Sequence, residues 1–175
     1  WEGCIYNHMK KKICVITGTR AEYGLLKPLI EGMGRDGAFR MQLLVTGAHL
    51  VREFGSTYRE IESDGFRIAG KIHIDSGCDS AVGVSHSMAR AISGFAAAYD
   101  ATRPDMVLVL GDRFEIFGAV AAAHVACIPV AHLYGGELTE GAIDDSFRHS
   151  ITKMSHLHFT ATEEYRRRVI QLGED

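Results

Sequence analysis

Asp105-Met106-Val107-Leu108-Val109-Leu110-Gly111-Asp112-Arg113-Phe114-Glu115 is the stretch that decides the fold, because an unbroken apolar run meets a glycine and then charged residues. A short continuous run of this kind, with Pro104 before it, reads as a strand buried on both faces and so as the centre of a parallel sheet. Gly111 ends it. The small apolar residues over 116–125 predict a helix packed back on that sheet. Asp112 and Arg113 are then left at the strand's carboxyl end, the rim where open α/β sheets bind ligands.

Upstream, residues 13–17 read as a short buried strand and about 22–35 as a helix, joined by Gly18-Thr19-Arg20-Ala21. A helix start after a glycine turn offers unpaired N–H groups to an anion, which makes Gly18 and Arg20 candidate phosphate contacts. Pro28 should fall near the helix start or bend it. Residues 41–45 form the second strand and carry His49 to the same rim, where it is a candidate ligand contact, although a lone histidine there is more often structural. A short helix over 57–63 ends at Asp64-Gly65, and a third strand lies within 66–74. Val84, Met88, Ala91, Ile92, Phe95 and Tyr99 recur at three- and four-residue steps, which predicts a long helix over 80–102 with a core-facing stripe.

Downstream, residues 128–133 read as a fifth strand. The loop Tyr134-Gly135-Gly136-Glu137-Leu138-Thr139-Glu140-Gly141 follows it, with adjacent glycines for close backbone approach and the carboxylates of Glu137 and Glu140. A helix over 143–153 carries Asp144 and Asp145 in its first turn and Arg148 and His149 a turn later. Taken alone this is capping and ordinary pairing along a helix. Its place on the Asp112 rim makes these residues site candidates. A strand over 157–160 and a helix over 163–172 finish the chain. His156 and His158 share a strand face, but no third ligand has suitable spacing, and no metal is expected. Six strands alternating with helices imply an α/β fold, a doubly wound Rossmann-like parallel sheet ordered 3-2-1-4-5-6. The switch in strand order then sets residues 18–20 beside 111–113.

The chain has 175 residues, 46% hydrophobic and 23% charged, which suits one soluble globular domain. A net charge of -3 argues against nucleic acid as a partner, and no apolar run reaches membrane-spanning length. Arg166, Arg167 and Arg168 read as a solvated helix face. Cys4, Cys14, Cys78 and Cys127 lack close metal-ligand spacing and fit a reducing cytoplasm. Residues 1–8 match no targeting pattern and precede Met9. They are read as an extension of cloning origin, with the domain proper over 9–175.

Thr17-Gly18-Thr19-Arg20-Ala21-Glu22-Tyr23-Gly24, Gly111-Asp112-Arg113-Phe114-Glu115, His132-Leu133-Tyr134-Gly135-Gly136-Glu137 and residues 143–153, in that order, resemble the hydrolysing UDP-N-acetylglucosamine 2-epimerases of sialic and related nonulosonic acid synthesis. The likeness covers residues 11–175. That family pairs two Rossmann-like domains in the glycosyltransferase-B manner around a nucleotide sugar, and this chain resembles the first. The resemblance implies elimination of UDP across C1 and C2 of the sugar, then hydration to N-acetylmannosamine, with no metal or cofactor. It makes Asp112 and Asp144 the acid/base carboxylates and Arg20 a diphosphate contact. By the same resemblance Glu137, Arg148 and His149 are candidates for sugar contacts or orienting groups, and the rim residues Gly18, Arg113 and His49 complete the candidate substrate contacts.

Tyr134 stands where several relatives carry a carboxylate and is a third catalytic candidate. This departure makes a UDP-linked 2,4-diacetamido-6-deoxy sugar an alternative substrate. The resemblance also implies a homo-oligomer for the full-length protein, and negligible turnover by the amino-terminal half alone. A sugar transferase of the same architecture and a nucleotide-sugar binding module are the competing readings.

Overall fold

The computed structural model describes residues 10–74, 79–139 and 143–175. The elements are β1 (Lys11–Thr17), α1 (Arg20–Arg35), β2 (Phe39–Thr46), α2 (Tyr58–Ser63), β3 (Ile68–Ile72), α3 (Ala81–Thr102), β4 (Met106–Leu110), α4 (Phe114–Val125), β5 (Val130–Leu133), α5 (Asp144–Met154), β6 (Leu157–Phe159) and α6 (Glu163–Gln171). Two short 3-10 turns, Gly47–Leu50 and Arg52–Phe54, follow β2. Among the described residues the strands form one sheet in the order β3-β2-β1-β4-β5-β6, with every pairing parallel. That is the expected order, with its reversal between β1 and β4.

The two-residue period of a strand explains the unbroken apolar runs. Cys14, Ile16, Val107 and Val109 face a core built with α3, α4 and α5. Ile13, Val15, Leu108 and Leu110 face the opposite core, built with α1 and α2. Cys14, fully buried, has its thiol pushed up to about 12 by that burial and behaves as a small apolar side chain.

Several boundaries differ from expectation for local reasons. α1 begins at Arg20, because the Thr19 hydroxyl caps it by accepting the N–H of Glu22 at 3.3 Å. Pro28 lies inside the helix, neither near its start nor at its end. A mid-helix proline costs about 3 kcal/mol. Tyr23, Leu26, Ile30 and Met33 are all buried, each contributing roughly 1.5–3 kcal/mol, so packing outweighs the local defect. β5 starts at Val130, with Pro129 contributing only its carbonyl, which accepts from Val107 N–H at 2.9 Å. The buried stripe of α3 runs through Gly83, Ser87, Ala91, Phe95 and Tyr99, and Ile92 lies at its margin, 38% exposed.

α3 and α4 approach closely because Gly118 has no side chain. A Cβ there would lie 2.7 Å from Ala91 Cβ and 3.4 Å from Ile92 N. Gly118→Ala is therefore expected to destabilise the fold by roughly 1–3 kcal/mol through overpacking, despite alanine's better helix propensity. Urea denaturation checks this, and unchanged stability would contradict the contact.

Candidate active site

Gly111 ends β4 with φ of 87°, a left-handed conformation that suits glycine, and turns the chain so that Asp112 stands on the rim. The ends of β4 and β5 are tied twice: Gly111 N–H donates to Leu133 O at 3.1 Å, and His132 Nε2 lies 2.8 Å from Gly111 O. Because that carbonyl only accepts, Nε2 carries the proton, and Nδ1 accepts from the Thr152 hydroxyl at 3.2 Å. His132 is fully buried, and burial pushes its pKa down to about 4. It is a neutral strut under the rim.

Arg148, on the second turn of α5, is 4% exposed and gathers the site. Its Nη2 donates to Asp112 Oδ2 and, at 2.8 Å, to the Thr139 hydroxyl. Its Nη1 donates to Glu137 Oε2 at 3.1 Å and to Tyr134 O at 3.5 Å. One planar guanidinium thus joins the end of β4, the loop after β5 and helix α5. Asp145 fastens the same loop by accepting Thr139 N–H at 2.8 Å. The pairing of Arg148 with the helix's own first turn, expected from spacing, is replaced by these longer-range bonds.

A second charged set lies under the turns after β1 and β2. Glu115 is fully buried and its Oε1 accepts Arg113 Nε–H at 2.6 Å. Glu22, 7% exposed, accepts Gly18 N–H at 2.7 Å. Burial pushes the Glu22 carboxyl up to about 7, against the lowering effect of that hydrogen bond. Burial disfavours the charge on Arg113, but Glu115, Glu22 and Asp144 outweigh it and hold the guanidinium pKa above its ordinary value. Asp144 is linked to this set through that charge.

The remaining expected site residues fall elsewhere. Arg20 heads α1 at the same rim, but its guanidinium is turned to Glu60 on α2 at 3.0 Å and is 74% exposed, so it does not join Asp112. His49 is fully buried between two hydroxyls, Thr17 at 3.1 Å and Thr57 at 2.7 Å, and is structural rather than a ligand contact. Tyr134 is half-buried and packs against the core on the α1 and α2 side of the sheet, and its backbone rather than its hydroxyl meets Arg148. His149 is half-buried, with Nδ1 buried and unpartnered. Glu140 lies outside the described residues. His156 accepts from Val130 N–H at 3.4 Å and His158 faces Glu174 at 3.4 Å. Sequence reasoning missed Glu22, Glu115 and Thr139. An acid near each glycine turn was the available sign for the first two, and Thr139 offered none.

These groups fix a pH dependence. Stability lent by His49 and His132, both pushed down to about 4 by burial, is present above the unfolded value near 6.5 and lost as pH falls toward 4. Glu22, raised to about 7, acts oppositely: its share is present below the unfolded value of 4.5 and lost as pH rises through 7. Between pH 6.5 and 4.5 two groups oppose one. Net stability is expected to fall on acidification by at most about 1.4 kcal/mol per pH unit, and more steeply in Glu22→Gln. Urea midpoints across that range check it. A flat profile would contradict these assignments.

A family model described as UDP-N-acetylglucosamine 2-epimerase matches residues 31–175. The chain belongs to that family. It is 48% identical over 166 residues to the GDP/UDP-N,N'-diacetylbacillosamine 2-epimerase (hydrolyzing) of Campylobacter jejuni, covering 95% of this chain and 43% of that protein. It is 43% identical over 164 residues to the polysialic acid biosynthesis protein P7 of Escherichia coli, covering 94% and 42%. The crystal structure of UDP-GlcNAc 2-epimerase from Neisseria meningitidis bound to UDP-GlcNAc superimposes with a TM-score of 0.82 at 23% identity, over 94% of this chain and 44% of that one. This chain therefore spans less than half the length of these relatives, and its doubly wound sheet is the fold of the corresponding part of the Neisseria structure. Among its described residues no helix is long and apolar enough to cross a membrane.

Proposed function

We propose that this chain is the amino-terminal half of a hydrolysing 2-epimerase that converts UDP-N-acetylglucosamine to UDP and N-acetylmannosamine. The observation that carries the reading is the Asp112–Arg148–Glu137 set at the carboxyl ends of β4 and β5, next to the β1–β4 boundary where the strand order reverses, in a chain of the epimerase family. In the first step a carboxylate takes the C2 proton while the C1–O bond to UDP breaks, leaving a 2-acetamidoglucal. In the second, water adds its hydroxyl to C1, and an acid on the other face returns a proton to C2. Asp112 and Asp144 take these acid and base roles, with Glu137 and Arg148 orienting the sugar and His149 beside them. Arg113 and the Gly18 turn receive the diphosphate.

Arg20 joins them by leaving Glu60, since an exposed pair of that kind is worth only about 0–1 kcal/mol. No metal or cofactor enters this scheme. The free, buried Cys14 suits a reducing compartment, and the reading takes the protein as cytoplasmic and homo-oligomeric at full length. A second substrate, a UDP-linked 2,4-diacetamido-6-deoxy sugar, is favoured by the name of the 48% identical relative. Either substrate places the protein in nonulosonic acid synthesis, sialic acid included.

In a polypeptide of the relatives' full length, Asp112→Asn is expected to lower kcat by roughly 10²–10⁴-fold while UDP still binds. Undiminished turnover in that variant would refute the role. UDP release that requires a sugar acceptor would favour a transferase instead. The 175-residue chain alone is expected to turn over negligibly, because half the cleft is missing.

A further inference from the structure

Glu115 is used by no step above, yet it is the buried acid around which three rim turns are built. It is fully buried on the first turn of α4. A Cβ at Gly18, in the turn after β1, would lie 3.0 Å from its Oε1, and so would one at Gly47, in the turn after β2. Gly47 has φ of 56°, and its Cβ position is also 2.9 Å from Gly18 O. The third turn, after β4, supplies Arg113, whose Nε donates to that same Oε1. The two glycines thus leave room for a carboxylate, and the carboxylate engages only the inner nitrogen of the guanidinium. The Arg113 side chain is 45% exposed, and among the described residues no acceptor is assigned to either Nη. Glu115 Oε2 is buried without a partner.

We propose that Glu115 is a positioning residue, holding Arg113 by Nε against the Gly18 and Gly47 turns so that both Nη groups stand at the rim for a diphosphate. This rests on the UDP-sugar reading for the identity of the anion. The charged groups around Glu115 are Arg113 from its own turn, Glu22 from α1 and, acting on Arg113, Asp144 from α5.

Coulomb's law alone makes the opposite forecast. Removing a negative charge beside an anion site should tighten anion binding. A positioning role predicts weakening, because a released arginine must be ordered again by the ligand. The experiment titrates UDP into the 175-residue chain, following amide and arginine Nε–H signals by NMR, for wild type, Glu115→Gln, Arg113→Lys and the double variant. Glu115→Gln is expected to weaken UDP about tenfold and to lose the slow-exchanging Arg113 Nε–H signal. In the Arg113→Lys background, which has no Nε, it should change affinity less than about twofold. Glu115→Asp, which keeps the charge but withdraws it, should behave like Glu115→Gln and decides the matter if the glutamine variant does not fold. Equal or tighter UDP binding by Glu115→Gln, or the same tenfold loss in both backgrounds, would overturn the proposal. If the 175-residue wild type binds no UDP, the same titration is made on a polypeptide of the relatives' full length, where absence of UDP binding would count against the UDP-sugar reading. The Arg113 Nε–H signal then decides Glu115 separately: loss in Glu115→Gln supports the positioning role, and persistence refutes it.

Discussion

Arg148→Met is expected to cost about 3–5 kcal/mol of folding stability, a large part of the 5–15 kcal/mol typical of a domain. The guanidinium is 4% exposed and answers Asp112 and Glu137 together, with Thr139 and the Tyr134 carbonyl as further acceptors, while its Nε is buried without a partner. Methionine fills much of the volume but leaves two carboxylates facing each other with no cation between them. The penalty comes from the stranded charges rather than from the lost attraction, so neutralising one of them should recover part of it. Asp112→Asn in the Arg148→Met background is expected to restore roughly 0.5–3 kcal/mol. Urea denaturation of the four proteins measures both quantities. A cost under about 1 kcal/mol for Arg148→Met would mean that the network behaves as a surface ion pair.

Gly136→Ala is the second large effect. Gly136 has φ of 81°, where a Cβ costs roughly 1–2 kcal/mol, and a Cβ there would overlap Tyr165 O and lie 2.9 Å from Tyr165 C. Both neighbours are backbone, so α6 itself must move, and the bond from Arg168 Nη1 to Gly136 O must move with it. With overpacking added, the loss should reach about 3 kcal/mol, and amide exchange should quicken along α6. Gly135→Ala is the control. There the nearest atoms are side-chain ones, His132 Nδ1 and Thr152 Oγ1, both at 3.2 Å, and shifts of a few tenths of an ångström relieve the contact. A Gly136→Ala effect no larger than the Gly135→Ala effect would contradict this seating of α6.

The sheet was readable because a strand buried on both faces must be apolar throughout, and residues 13–17, 41–45 and 106–110 are nearly so. Strand order followed from the handedness of crossovers, and the rim position of Asp112 followed from strand order. Directions of long side chains were not readable. Arg20 and Arg148 look alike in sequence, each near the start of a helix with acids close by. Only the placement of α2 turns Arg20 to Glu60, and only the loop after β5 turns Arg148 inward to Glu137. His49 was legible as a rim residue but not as one sealed beneath it, because burial by Thr17 and Thr57 depends on how β1 and the segment before α2 close over the ring. The placement of the Tyr134 side chain was not readable either, for a backbone reason. Its φ of 64° carries the ring to the α1 side of the sheet and leaves only the carbonyl for Arg148.

The most direct test of the epimerase reading follows the fate of C2 in the sugar. A polypeptide of the relatives' full length is incubated with UDP-N-acetylglucosamine, and in parallel with its 2,4-diacetamido-6-deoxy counterpart, in deuterated water, with products followed by NMR. Elimination followed by hydration predicts UDP and a free sugar of inverted configuration at C2, with that position carrying solvent deuterium. Free sugar that keeps its original C2 configuration and proton, or no free sugar from either substrate, would contradict the account.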